Sequence, residues 1–354
     1  MTENIIQDEI EMQKRTTISD IAREAGVNKS TVSIVLNRHP LSRRIAENTK
    51  KRIIEASEKL NYLPSLVAKA LTSGKTGTLG MVVGDIKSPY FAELTDAALQ
   101  AADDHGYQML VSVTKWDIQK ESRALKTLMQ RQVDGIILCM QNLNHDHKLY
   151  NEIRSINYPI VIYGQGMEGF SSVSSDFTSA MDELVETFQQ NGYNSIVFID
   201  YVCEPTAKEL SFSKACQKYG VKAKKLILPD FSNEAIMEIA KEIAVTEHSH
   251  AYLVFSDYYA IRLASYLMDL GKKVFEDIMI MGIDGTTWAS FFRPSFPIIH
   301  QNRTLMMSEA VKILIEKGKN KLKEPENIAV PAKLIMNKIV NRTIKRSYKC
   351  CLDV

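Results

Sequence analysis

The chain has no run of the ~18 to 20 uninterrupted apolar residues that a membrane-spanning helix needs. Residues 1–15 carry acidic side chains where a signal peptide would place its apolar core. A cytoplasmic protein with no membrane partner is the expectation. Cysteine is scarce: Cys139, Cys203, Cys216, Cys350 and Cys351 are odd in number and free of CxxC or Cys/His spacing. That usage suits reduced thiols, with no zinc and no structural disulfide. Neither GxSxG nor HExxH occurs, and no other stretch nominates a nucleophile with its base. We therefore expect no catalytic residue, no metal site, no cofactor and no enzyme. Ser73-Gly74-Lys75-Thr76 hints at a phosphate loop, but the Gly that motif requires at position 69 is Lys69. Asn144-His145-Asp146-His147 lacks further ligands and reads as a solvated loop.

What is present is 354 residues, 45% of them hydrophobic, enough for two or three domains. The net charge of +2 conceals an uneven distribution. Residues 1–13 hold four acids and no Lys or Arg, whereas residues 14–75 hold 13 Lys or Arg against five acids. A compact basic block on a nearly neutral body is the electrostatic footprint of a module that binds a polyanion.

Within that block, apolar residues recur at Ile18, Ile21, Ala22 and Ala25, then at Val27, Val32, Val35 and Leu36. This is the pattern of two short amphipathic helices meeting at a turn. Gly26 suits the turn, Asn28 suits the cap of the second helix, and Lys29, Ser30, Thr31 and Ser33 then lie near that helix's exposed start. A third helix is expected over 46–60, with Ile53, Ile54, Ala56 and Leu60 inward and Lys50, Lys51 and Arg52 outward. From Thr78 onward, buried-strand runs (79–83, 109–113, 135–139, 160–163, 196–199, 253–255 and 278–283) alternate with amphipathic stretches of helix length. That rhythm implies parallel sheets covered by helices, with a ligand crevice at the strand ends.

The stretch Thr17-Ile18-Ser19-Asp20-Ile21-Ala22-Arg23-Glu24-Ala25-Gly26-Val27, with Ser30-Thr31-Val32-Ser33, Leu36-Asn37 and Leu60-Asn61-Tyr62-Leu63-Pro64, resembles the headpiece of the lactose-repressor (LacI/GalR) family. Asp85 to Leu94, Gln132 to Ile137, Phe275-Glu276-Asp277 and Gly282-Ile283-Asp284-Gly285 are similar to later landmarks of the family. The resemblance runs from about residue 16 to 342. It implies an all-α helix-turn-helix headpiece and an α/β periplasmic-binding-protein-like two-lobed core with parallel sheets. It further implies a homodimer on double-stranded, near-palindromic operator DNA, usually a repressor, whose affinity responds to a small-molecule effector, a sugar or related metabolite, between the lobes.

Carried over position by position, the resemblance assigns DNA binding to Thr17, Ile18, Lys29, Ser30, Thr31, Ser33, Ile34, Asn37 and Tyr62, and to Ser65, Ala68 and Leu71 of a hinge helix. Leu71 matches the leucine that wedges into the minor groove. Ile34 departs from the arginine of many members: it offers only apolar contact, for example to a thymine methyl, or it packs and reads no base. Arg38, Arg43 and Arg44 lie in a loop a few residues longer than that of the lactose repressor, suited to phosphate contacts. Effector binding falls to Tyr90, Phe91, Trp116, Lys208, Ser256, Asp257 and Asp284. Lys208 replaces the usual arginine clamp and Ser256 a frequent asparagine, which weakens a sugar assignment.

The expected organisation is a disordered arm (1–15), the headpiece (16–62), a hinge helix and linker (63–76), the effector-binding and dimerisation core (77–342) and a flexible tail (343–354). Lobe 1 takes about 77–176 and 301–330; lobe 2 takes about 177–300 and 331–342. Met12 is a possible true start. The tail has no leucine heptad, which favours a dimer, and Cys350 and Cys351 sit in it. The rivals are a regulator of this fold with no effector response, a solute-binding protein lacking a headpiece, and an enzyme.

Overall fold

The computed structural model describes residues 16–37, 39–63, 70, 74–139, 147–245, 251–293, 296–318 and 324–336. Expectations for the arm, Arg38, Ser65, Ala68, Leu71, His145, Cys350, Cys351 and the tail lie outside these residues. The chain divides into two compact units, Met1–Thr76 and Gly77–Val354.

The first unit is helical: α1 (Ile18–Ala25), α2 (Lys29–Leu36), a 3-10 turn (Pro40–Arg44) and α3 (Glu47–Lys59). Thr17 starts α1 through a capping box: its hydroxyl accepts from the Asp20 amide while the Asp20 carboxylate accepts from the Thr17 amide. Gly26 ends α1 in the left-handed region (φ 63°), which a residue with a Cβ enters only at a cost. Asn28 stands at the N-cap of α2, but its side chain makes no capping bond, contrary to expectation. Ile21, Ala22, Ala25, Val32, Val35, Ile53 and Ala56 form the core, with Tyr62 and Leu60 against it. Ile54, expected inside, is 46% exposed. With Ile53 and Ala56 three apart on the buried stripe of α3, Ile54 is rotated about 100° away from it. Lys50, expected to face out, is half-buried and paired with Glu47.

Among the described residues, the second unit holds two six-stranded sheets. Sheet one contains β1 (Thr78–Val83), β2 (Gln108–Val113), β3 (Ile136–Cys139), β4 (Ile160–Tyr163), β5 (Ser171–Asp176) and β11 (Asn327–Pro331), in the order β11-β5-β4-β3-β1-β2, parallel throughout. Sheet two contains β6 (Ser195–Asp200), β7 (Lys222–Ile227), β8 (Ala251–Val254), β9 (Met279–Asp284), β10 (Ile298–His300) and β12 (Lys333–Ile335), in the order β12-β10-β9-β8-β6-β7. Among the described strands only β12 runs antiparallel to its neighbour.

Helices α4 (Pro89–Asp103), α5 (Ile118–Gln130), α6 (His147–Ser155) and α11 (Arg303–Lys317) cover sheet one; α7 (Thr178–Gln190), α8 (Ala207–Tyr219), α9 (Asn233–Val245) and α10 (Asp257–Asp269) cover sheet two. The central strands are near-continuous apolar runs because both faces are covered: β3, β4, β8 and β9 are buried at every position. The chain passes between the sheets after Asp176, after His300 and at Ala332. Lobe 1 is built on sheet one and lobe 2 on sheet two.

Candidate functional site

In the first unit, the positions expected to meet DNA gather on and around α2. Lys29, Ser30 and Asn37 are exposed; Thr31, Ser33 and Ile34 are half-buried. Asn37 Nδ2 donates to Ser33 Oγ across one helical turn (3.1 Å), so these two present a joined polar surface. Thr17 is committed to its capping box, and Tyr62 packs against the core, where burial raises its phenol pKa. Arg43 and Arg44 lie in the last turn of the 3-10 segment.

In the second unit, the C-terminal strand ends of both sheets face the crevice expected of open α/β sheets. Its centre is Asp284, the last residue of β9, only 3% exposed and held at φ 111°. Such a backbone is rare outside glycine and collects at functional sites. The Asp284 Oδ1 accepts from Lys208 Nζ (2.8 Å) and from Gln301 Nε2 (2.8 Å). Lys208 Nζ, from α8, also donates to the Phe255 carbonyl (2.7 Å). Gln301 Oε1 in turn accepts from the Ser175 hydroxyl (2.6 Å) and the Tyr90 hydroxyl (3.1 Å), and Tyr90 shares a hydrogen bond with Tyr163. A polar chain thus runs from lobe 1 (Tyr163, Tyr90, Ser175) through Gln301 to Asp284 and Lys208 of lobe 2. Burial, reinforced by Asp284, pushes both phenols well above the usual tyrosine range, so both are neutral and donate hydrogen bonds at physiological pH.

Asp257 opens α10 with no exposure. Its Oδ2 accepts from the Thr286 amide (2.6 Å) and its Oδ1 from the Thr286 hydroxyl (3.0 Å). Burial, then the neighbouring Asp284 charge, raises its carboxyl from 3.8 to about 7. Ser256, 5% exposed, is the N-cap residue of α10 and makes no side-chain capping bond. Ser256 and Asp257, like Asp284, are buried.

The aromatic part of the crevice has two groups. In lobe 1, Phe91 meets Tyr90 and Trp116 edge-on, with centroids at 5.3 and 4.9 Å. Lys115 and Trp116 both adopt positive φ (56° and 60°), which lays the indole against the backbone at Gly84, where a Cβ would fall 2.0 Å from a ring atom. In lobe 2, Tyr201, Phe231, Phe255 and Tyr259 form a cluster with centroids 4.8 to 6.3 Å apart. The Arg262 guanidinium lies 5.3 Å from the Tyr259 ring centre.

The structure therefore brings together Tyr90, Lys208 and Asp284 in one network and Phe91 with Trp116 in one contact. Sequence reasoning missed Gln301, Ser175, Tyr163, Glu93 and Arg303. The available signal was a polar pair, Gln301 and Arg303, directly after a strand at a crossover between sheets.

Residues 17–65 match the family profile described as bacterial regulatory proteins, lacI family. Residues 76–248 match periplasmic binding proteins and sugar binding domain of LacI family, and residues 185–337 a periplasmic binding protein-like domain. The HTH-type transcriptional repressor PurR of Photobacterium profundum is 31% identical over 332 residues, spanning 92% of this chain and 98% of its own length. Catabolite control protein A of Priestia megaterium is 28% identical over 307 residues, covering 84% of this chain and 91% of its own. Among solved structures, the lac repressor dimer bound to operator and the anti-inducer ONPF has a TM-score of 0.79 at 20% identity, covering 92% of this chain and 99% of that one. The trehalose repressor from Escherichia coli has a TM-score of 0.64 at 18% identity over 73% of this chain and 99% of its own. Such identities speak to the fold. Among the described residues no helix is long and apolar enough to cross a membrane. With a helix-turn-helix unit of matching profile, a two-lobed body of matching architecture and a relative alike along nearly its whole length, the chain belongs to the LacI family of bacterial regulatory proteins and is a DNA-binding transcription regulator.

Proposed function

We propose that this regulator is a cytoplasmic homodimeric repressor that binds a near-palindromic operator, with affinity set by a small-molecule effector, a sugar or related metabolite, held in the crevice between the lobes. One observation carries the effector reading: Lys208 and Gln301 converge on the strained Asp284 where the strand ends of both lobes meet, beside the Phe91–Trp116 pair. Tyr90, Phe91, Trp116, Lys208 and Asp284 line that site, and the buried Ser256 and Asp257 support it. An effector that prefers one lobe arrangement shifts operator affinity by a coupling of roughly 1 to 3 kcal/mol.

The dimer face we assign is the edge strand β2 with α4. Leu110, Val111, Val113 and Leu99 are all exposed there, an apolar edge that a second copy covers. On the DNA side, α2 enters the major groove with Lys29, Ser30, Thr31, Ser33, Ile34 and Asn37, flanked by Thr17, Ile18 and Tyr62. Ser65, Ala68 and Leu71, outside the described residues, are assigned to DNA contact by the family resemblance. Ile34 gives the operator a thymine preference where an arginine would select guanine.

A second reading, a regulator with no effector response, is favoured by the pairing of Lys208 and Asp284 with each other. A thermal shift screen of the full chain against a library of sugars, nucleosides and related metabolites separates the two. The effector reading expects a ligand-specific rise in Tm that disappears in Phe91→Ala and in Asp284→Asn, whose side chain tolerates the positive φ. No rise with any compound supports the second reading.

A further inference from the structure

The four-residue turn from Asp284 to Thr287 is gripped from two directions. Its side chains belong to lobe 2, where Asp284 holds Lys208 and Thr286 holds Asp257. Its backbone is held from lobe 1. Arg303, the first residue of α11 and 9% exposed, donates through Nη1 to the Asp284 carbonyl (2.6 Å) and through Nη2 to the Gly285 carbonyl (2.8 Å). The same Nη2 is 2.7 Å from Glu93 Oε2, on α4. The other Glu93 oxygen, Oε1, accepts from the Thr287 amide (2.8 Å). The Arg303 guanidinium also lies 5.5 Å from the Tyr90 ring centre.

Glu93 and Arg303 thus neutralise each other within lobe 1, and both also hold the backbone of one lobe 2 turn. Charge-assisted bonds from a rigid guanidinium fork are short and directional, and opening the lobes would break these three bonds to the turn together. The turn also carries the carboxylate at the centre of the candidate effector site.

We propose that Glu93 and Arg303 are positioning residues: a two-residue clamp that fixes the lobe arrangement without effector and links events at Asp284 to lobe 1. This rests on the reading of the crevice as the effector site only for its second clause; the clamp itself needs no ligand. Loosening it lets the body sample several lobe arrangements. Operator binding by two headpieces at a fixed spacing then weakens, because only a fraction of molecules is competent.

The test uses the full chain without effector and a duplex selected by the wild type from a random pool. Hydrogen exchange and duplex affinity are measured for wild type, Arg303→Met, Arg303→Lys, Glu93→Ala and the Arg303→Met/Glu93→Ala double variant. We expect exchange over residues 284–287 to rise at least tenfold in Arg303→Met and in Glu93→Ala, with β3 and β8 still protected. Duplex affinity falls threefold or more, the double variant is no worse than Arg303→Met, and Arg303→Lys recovers part of both. Unchanged exchange at the turn overturns the clamp. Raised exchange with unchanged duplex affinity overturns its positioning role. A uniform rise across both lobes also overturns it, since that is general destabilisation. Because no effector is present, these outcomes are independent of the metabolite screen: an empty screen with a working clamp refutes only the effector site.

Discussion

Substituting Lys208 by Met tests the centre of the crevice most sharply. The Lys208 Nζ and Asp284 Oδ1 are 2.8 Å apart, with side chains 22% and 4% exposed. At an effective dielectric near 20, two unit charges at that distance attract by about 6 kcal/mol, most of which offsets the cost of removing them from water. Lys208→Met keeps the aliphatic stem but leaves the buried carboxylate with Gln301 as a side-chain donor. Orphaning a buried charge costs about 3 to 5 kcal/mol. The partial exposure of Lys208 admits water, which reduces our expectation to about 2 to 3 kcal/mol. Asp284→Asn alone should cost about 1 to 2 kcal/mol, since Lys208 keeps the Phe255 carbonyl and can hydrate. The Lys208→Met/Asp284→Asn double variant removes both charges and should recover at least about 1.5 kcal/mol of the summed cost. The chain's two tryptophans, Trp116 and Trp288, both lie in the body, so urea unfolding followed by tryptophan fluorescence reports this unit alone. At about 2 °C per kcal/mol for a body of this size, Lys208→Met also lowers Tm by roughly 4 to 6 °C. Single-variant costs that add to within about 0.5 kcal/mol would refute the pair as a coupled unit.

Asp257, with its carboxyl raised from 3.8 to about 7, binds a proton in the folded state that the unfolded chain has released. Its contribution therefore favours the fold below pH 4 and is lost as pH rises through 7, at no more than ~1.4 kcal/mol per pH unit. Asp257→Asn should flatten the stability profile between pH 4 and 7 in urea titrations, and an unchanged slope would count against the assignment. In the first unit, Ile53→Ala empties a position with no exposure at a cost of about 2 to 5 kcal/mol, enough to unfold so small a core. Duplex binding should vanish while the body's tryptophan unfolding curve is unmoved; retained binding would contradict the described headpiece. Gly84→Ala places a Cβ where the Trp116 ring lies, forcing the indole from Phe91. The expected result is a shifted emission maximum and a body destabilised by about 1 to 3 kcal/mol, and an unchanged spectrum would argue against the indole's placement over Gly84.

Legibility from sequence followed local physics. The helix-turn-helix could be read because its turn residue Gly26 and its buried Ile21, Val32 and Val35 lie within one short stretch; the capping box of Thr17 escapes that reading. Ile54 is misread because adjacent isoleucines do not reveal which one faces the core. The strands β5 and β7 escape detection for a compositional reason: Ser171–Asp176 is mostly serine and Lys222–Ile227 half lysine, with neither showing an apolar run. In the crevice, the carboxylates at strand ends are visible in the sequence, but their partners are not. Glu93 and Arg303 are 210 positions apart, and only the crossover after His300 brings them to the same turn. Asp257 has the residue type of a ligand-binding carboxylate, yet its oxygens are taken by Thr286, a pairing set by how α10 meets the end of β9.

Sequence-specific reading of DNA by this regulator can be put to the proof by selecting bound duplexes from a random pool at several salt concentrations, with wild type beside Leu71→Ala. The wild type should return a near-palindromic consensus, with affinity falling as salt rises, and the variant weaker, less selective retention. Retention that is salt-sensitive but enriches no sequence would contradict a sequence-reading headpiece.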